Sequence, residues 1–169
     1  ASLNKFSTET FGENLVLDYS NFNIFLNRDL IKQKGLELAK VKQSFKDFLL
    51  LQVYVKRVYT QEEILAGSAQ DYYLNFIFKG YDPKMSGDLV ILEGAGYLES
   101  YLATGTTHGT PNSYDTNVPL LFYGWHVPQG ESNKKVYITE IAPTLSKMLK
   151  ITFPNGTESE VLEEVLIKK

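Results

Sequence analysis

The chain has no cysteine, and only two histidines, two methionines and one tryptophan among 169 residues. Without cysteine there is no disulfide framework, no thiolate zinc site and no cysteine nucleophile, so metal chemistry is restricted to oxygen ligands plus His108 and His126. The compartment stays open, because a cysteine-free chain suits either side of a membrane. An excess of one charge is also lacking. Seventeen Lys and Arg stand against twenty Asp and Glu, a net −3, and the basic residues are spread too evenly to form a stripe along a phosphate backbone. Nucleic acid is therefore not expected as a partner. No stretch reaches the roughly 20 consecutive apolar residues that a membrane span needs. The opening Ala1-Ser2-Leu3-Asn4-Lys5 has neither an initiating Met nor an apolar run of signal-peptide type, which leads us to expect a processed or truncated chain without a signal peptide. Two catalytic signatures are missing as well: the Gly-x-Ser-x-Gly elbow of a serine hydrolase and the Gly-x-x-x-x-Gly-Lys phosphate loop.

What is present is core-forming material. Hydrophobic residues make up 43%, with 11 Tyr and 10 Phe, which suits one globular domain over residues 1–169. Two short alternating runs, 15–19 and 23–26, joined through Ser20-Asn21, predict a small N-terminal hairpin. From Arg28 to Leu51 the apolar residues Leu38, Val41, Phe45, Phe48 and Leu49 recur at helical spacing, and Gly35 is expected to divide that span. Alternation over 53–59 predicts a strand. Thr60-Gln61-Glu62-Glu63 then reads as a capping box that opens a helix closed by Gly67, and a further helix is expected from Gln70 to Lys79.

The apolar runs 88–92 and 118–123 do not alternate and are bounded by Gly and Pro, which predicts strands buried on both faces. Thr139 is read as the cap of a helix carrying Ile141, Leu145, Met148 and Leu149 on one face. Strands separated by helices place the chain in the α/β class, with a mixed sheet flanked by helices.

The loop from 101 to 117 is the strongest site candidate. It joins the two expected buried strands, is rich in small and hydroxyl residues, and sets His108 between Gly105 and Gly109. Such an imidazole can ligate a metal through one nitrogen while a carboxylate such as Asp115, or a backbone carbonyl, orients the other. From composition alone the preferred reading is a structural, hydrogen-bonded histidine, since a single His does not make a metal site. For His126, at the end of the expected strand 118–123, the structural reading is preferred. The aromatic stretch Tyr72-Tyr73-Leu74-Asn75-Phe76-Ile77-Phe78 is read as helix core rather than a ligand platform.

The segment Gly105-Thr106-Thr107-His108-Gly109-Thr110, followed by 114–124, resembles the alkaline phosphatase superfamily. The likeness is to the bacterial zinc-dependent, phosphate-irrepressible type related to nucleotide pyrophosphatases/phosphodiesterases. Segments 23–28, 80–88 and 138–145 resemble the C-terminal portion of that family in the same order, so the resemblance covers nearly the whole chain. It implies an alkaline-phosphatase-like α/β sandwich. It also implies an intact enzyme that hydrolyses phosphate monoesters, or diesters, with two zinc ions and a phosphoenzyme formed on a threonine or serine.

In the family the histidine of the Thr-His-Gly motif ligates zinc, and here it corresponds to His108. The nucleophile and the remaining ligands belong to motifs upstream of this stretch. The resemblance thus implies a C-terminal fragment with no catalytic residue of its own, inactive alone, holding no metal stably, and partnered by the upstream catalytic portion. Relatives of this type imply an extracytoplasmic location, periplasmic or cell-surface. Two other classes stay open: a non-catalytic binding module that keeps the fold, and a sulfatase-like or phosphomutase relative with a different substrate.

Overall fold

A computed structural model describes residues 2–68, 70–99, 104–124 and 126–166; residues 101–103 of the expected site loop lie outside them. The chain divides into two compact units, Ala1–Val118 and Pro119–Lys169.

In the N-terminal unit, helix α1 (Ser2–Phe11) is an element for which the sequence carried no recognised cap. It is held by packing and by one buried serine. Ser7 Oγ donates to Glu13 O and accepts from Leu15 N, both at 2.8 Å, tying the helix to the first strand. Strands β1 (Val16–Ser20) and β2 (Asn23–Leu26) form the expected hairpin. Its two turn residues, Asn21 and Phe22, both adopt left-handed backbone (φ 48° and 62°), the conformation that matches the twist of a two-residue hairpin.

Gly35, at φ 67°, separates α2 (Arg28–Gln33) from α3 (Leu38–Leu50), as the sequence predicts. Val41, Phe45 and Leu49 follow one another at intervals of four on the buried stripe of α3. The Phe6 ring of α1 stacks on Phe48 (centroids 4.1 Å apart) and meets Phe45 edge-on at 5.2 Å. Burying a ring as completely as that of Phe45 is worth about 1.5–3 kcal/mol.

Strand β3 (Val55–Thr60) leads into α4 (Gln61–Ala66) through the predicted capping box. Thr60 Oγ1 accepts from Glu63 N, and Glu63 Oε2 accepts from Thr60 N. Asp71 caps α5 (Tyr72–Gly80) by accepting from Tyr73 N and Leu74 N. Of the aromatic stretch on α5, Tyr73, Leu74 and Ile77 pack inward as expected, while Tyr72, Phe76 and Phe78 are about half exposed.

Strand β4 (Leu89–Glu93) completes a four-stranded sheet in the order β1-β2-β4-β3. The α/β class is as expected, but every described pairing is antiparallel rather than mixed. The reason is topological. Strands β2 and β3 run in the same direction and are joined through α2 and α3, but β4 is inserted between them and runs the other way, which splits a β-α-β unit. All five residues of β4 are buried. Leu89 and Ile91 enter the cluster around Phe45, whereas Val90 packs on the other face with Tyr59, Ile64 and Leu74. That is the burial its non-alternating sequence predicts.

The second apolar run, 118–123, is not a strand. It has no ladder partner among the described residues, and Leu121 and Tyr123 are fully outward. An extended run forms a strand only where a neighbouring backbone accepts its hydrogen bonds, and none of β1–β4 pairs with this one. The site loop carries the short helix α6 (Ser113–Thr116).

The C-terminal unit is built on a 3-10 turn (Ile138–Glu140) running into α7 (Ile141–Leu149). Thr139 does not cap α7; its hydroxyl accepts from Ser159 Oγ. The carboxylate of Glu140 reaches back to Tyr137 N instead. Nor is the apolar face of α7 its buried one. Leu145 and Leu149 are exposed, while Pro143, Thr144 and Ser146 are buried. Thr144 Oγ1 donates to Glu140 O and accepts from Leu162 N, which pins the tail segment across the helix.

Candidate functional site

The end of β4 delivers Glu93 to the wall of the cavity that His108 also lines. The histidine is exposed, and both flanking glycines have backbone only glycine adopts easily, φ 132° at Gly105 and 124° at Gly109. A Cβ at either position would meet nothing, so the torsion and not crowding calls for glycine.

C-terminal to the histidine, the loop is locked by a chain of polar contacts. Asp115 Oδ2 accepts from the hydroxyl and the backbone N–H of Thr110. Thr110 Oγ1 accepts from Asn112 Nδ2 at 2.9 Å, and the same amide lies 3.1 Å from the Tyr114 hydroxyl, which in turn accepts from Gly96 N. Asn112 is buried, so its amide acts as the pin of this knot.

The Thr110 hydroxyl bond, followed by the Thr110 N–H bond and the nearby His108 charge, holds the Asp115 carboxyl below the ordinary carboxylate range. The expected bond from Asp115 to the His108 ring is not among the described contacts. Asp115 instead clamps the backbone just past His108 and interacts with the imidazole through charge.

His108 opens on a cavity of about 190 Å³, walled by Thr106, Thr107, Thr110, Asp115, Phe22 and Glu93. Among the described residues no group of three His, Asp or Glu side chains can hold a metal ion. Among the described residues His108 thus fits one ligand of a larger shell and does not form a complete site in itself. His126 sits exposed in a turn of the C-terminal unit, with left-handed backbone (φ 59°), and not at the end of a strand.

Two residues escaped the sequence reading. Glu93 is 8% exposed at the end of an otherwise apolar strand, and Glu99 accepts from the Tyr19 hydroxyl at 2.8 Å. Burial first, and then the charge of Glu99, push the Glu93 carboxyl above the usual range. The signal available was the carboxylate closing the run Leu89-Val90-Ile91-Leu92-Glu93, but only tertiary packing shows that this fifth position is buried.

No protein-family model matches the chain. Curated relatives do. The alkaline phosphatase PafA of Elizabethkingia meningoseptica is 37% identical over 159 residues, and PhoV of Synechococcus elongatus is 36% identical over 146. A protein of Myroides odoratus named calcium-transporting ATPase is 33% identical over 166 residues. These alignments take in 94%, 86% and 97% of the chain but only 29%, 26% and 30% of the respective relatives. A crystal structure of wild-type PafA superposes with a TM-score of 0.89 at 36% identity, covering 98% of this chain and 32% of that one. At that identity over nearly its full length, and with the same fold, the chain belongs to the alkaline phosphatase superfamily and corresponds to the C-terminal region of such an enzyme.

Proposed function

We propose that this chain is the C-terminal portion, residues 1–169, of a zinc-dependent phosphohydrolase acting on phosphate monoesters, with diesters as a secondary class. In this reading it supplies His108 to the metal site and works together with an upstream catalytic portion. The observation that carries the reading is the exposed His108, presented between two glycines and followed by the Thr110–Asp115 clamp, within a chain similar to PafA over 94% of its length.

When bound, zinc supplies Lewis-acid stabilisation of the charge that develops on phosphate oxygens. This chain's share is positional. Gly105 and Gly109 supply the backbone torsions that flank the exposed imidazole, and the Asp115–Thr110 bonds fix the loop two residues beyond it. A fragment with one ligand holds no zinc stably and carries no nucleophile, so the isolated chain is inactive in this account. The run 118–123, apolar yet outward here, gains a sheet neighbour once the upstream portion is present. The resemblance to relatives of this type supports an extracytoplasmic location; no described helix is long and apolar enough to cross a membrane.

Phosphatase assays on p-nitrophenyl phosphate with added zinc test the reading. The isolated chain is expected to be inactive, the protein with its upstream portion active, and His108→Ala in that protein to reduce kcat/KM by at least about a hundredfold, a loss of about 2.7 kcal/mol of transition-state stabilisation. Activity in the isolated chain, or an unchanged His108→Ala enzyme, overturns it.

A further inference from the structure

A second and larger cavity, about 390 Å³, lies within the N-terminal unit. It shares Glu93, Tyr97 and Leu98 with the His108 cavity as wall residues. Leu49 and Ile91 line its apolar side, and the phenol rings of Tyr19, Tyr54 and Tyr97 line the rest. Two carboxylates face it, Glu93 and Glu99, and no Lys or Arg is among its described lining residues.

Glu93 sets the chemistry of this space. It stands on the same face of β4 as Leu89 and Ile91, it is more than nine-tenths buried, and among the described residues its carboxylate accepts no hydrogen bond and makes no ion pair. Elsewhere in the unit the protein partners its buried charges carefully: Lys42 with Glu62 and Asp88, and Asp88 with Arg28. The stem of Glu93 is buried while its carboxylate oxygens open into the cavity, so with Glu99 beside it two negative charges face this space and no described cation stands between them.

We propose that this cavity binds a small organic ammonium cation, held by Glu93 and Glu99 and sandwiched by the tyrosine rings. Rings of this kind attract a cation through their π faces even where, as at Tyr54 and Tyr97, they remain partly open to water. The volume is that of a small-molecule site, and the apolar side suits the methyl or methylene groups that surround such a nitrogen. A divalent metal is the poorer match. It demands a shell of oxygen ligands, whereas two carboxylates here are set among aromatic and aliphatic carbon, and no third acidic or histidine side chain joins them in the described structure.

The inference stands apart from the phosphatase reading, because none of its residues is asked to touch phosphate or zinc. Isothermal titration of choline chloride, with calcium chloride in a parallel arm, tests it in the 169-residue chain and in the protein that carries its upstream portion. Choline is expected to bind with a Kd of about 1 mM or tighter, Glu93→Gln to weaken it at least tenfold, and Tyr97→Ala to weaken it several-fold. His108→Ala is expected to leave it unchanged, which separates this site from the phosphatase site. Far-UV circular dichroism of each variant establishes that the fold is kept. Choline binding that is absent to about 50 mM, or equal in wild type and Glu93→Gln, or a site that takes calcium alone, overturns the proposal.

Discussion

Asp88→Ala should unfold the sheet more readily than any loss of surface charge. Asp88 is 5% exposed in its side chain; its Oδ2 accepts from Leu26 N at 2.9 Å, and its Oδ1 lies 2.7 Å from Arg28 Nη2 and 3.6 Å from Lys42 Nζ. Lys42 is itself 2% exposed, in the middle of α3. Removing Asp88 leaves that ammonium with Glu62 alone, at 2.7 Å but 68% exposed and therefore screened by water. It also strips the buried Leu26 N–H of its acceptor. Breaking a buried pair from one side costs about 3–5 kcal/mol, a large share of the roughly 5–15 kcal/mol by which domains are stable. Urea unfolding followed at 222 nm measures this. A second variant in the same assay, Lys42→Met added to Asp88→Ala, should restore about 1–2 kcal/mol by removing the stranded charge. A cost below about 1 kcal/mol for Asp88→Ala, the value of an exposed pair, would refute the reasoning.

Gly87→Ala should be destabilising by about 1–3 kcal/mol in the same assay, since a Cβ there would stand 2.7 Å from Ile24 O and 2.9 Å from Asn23 Cβ, backbone and near-backbone atoms that cannot step aside. Thr60→Ala should cost about 1 kcal/mol through loss of the cap, seen as a lowered Tm. Two carboxylates should give opposite pH signatures in thermal melts. Desolvation raises the Glu93 carboxyl in the folded state, so its ionisation opposes folding as pH rises past the ordinary carboxylate range; Glu93→Gln should raise Tm at pH 7, with the gain vanishing toward pH 4. At Asp71, slight burial acts upward, but hydrogen bonds from Leu74 N and the Tyr59 hydroxyl carry the carboxyl below its usual range. Its stabilisation is present at neutral pH and lost as pH falls, and Asp71→Asn should lower Tm at pH 7 but not in acid.

Features governed by neighbours in sequence were legible before the structure. The capping box at Thr60 and Glu63, the break at Gly35 and the two-sided burial of β4 all follow from a few consecutive residues. Gly105 and Gly109 stand out beside His108 in the sequence for the close approach they permit, whereas in the structure it is their torsions that call for glycine. Features that depend on a distant partner were not legible. Residues 118–123 have strand composition, yet a ladder needs a second backbone that the described residues do not provide. Helix α7 buries Thr144 rather than Leu145 because Leu162, eighteen positions on, hydrogen-bonds to the threonine. Glu93 gave no sign of burial, since only the docking of α1 and α3 onto the sheet closes the space around it.

The central claim concerns one imidazole. Zinc-edge anomalous diffraction from crystals of the protein with its upstream portion tests it directly. The account predicts an anomalous peak about 2.0–2.1 Å from a ring nitrogen of His108, lost or weakened in His108→Ala crystals. Zinc bound elsewhere with the His108 ring free, or undiminished zinc at the same position in His108→Ala, would contradict it.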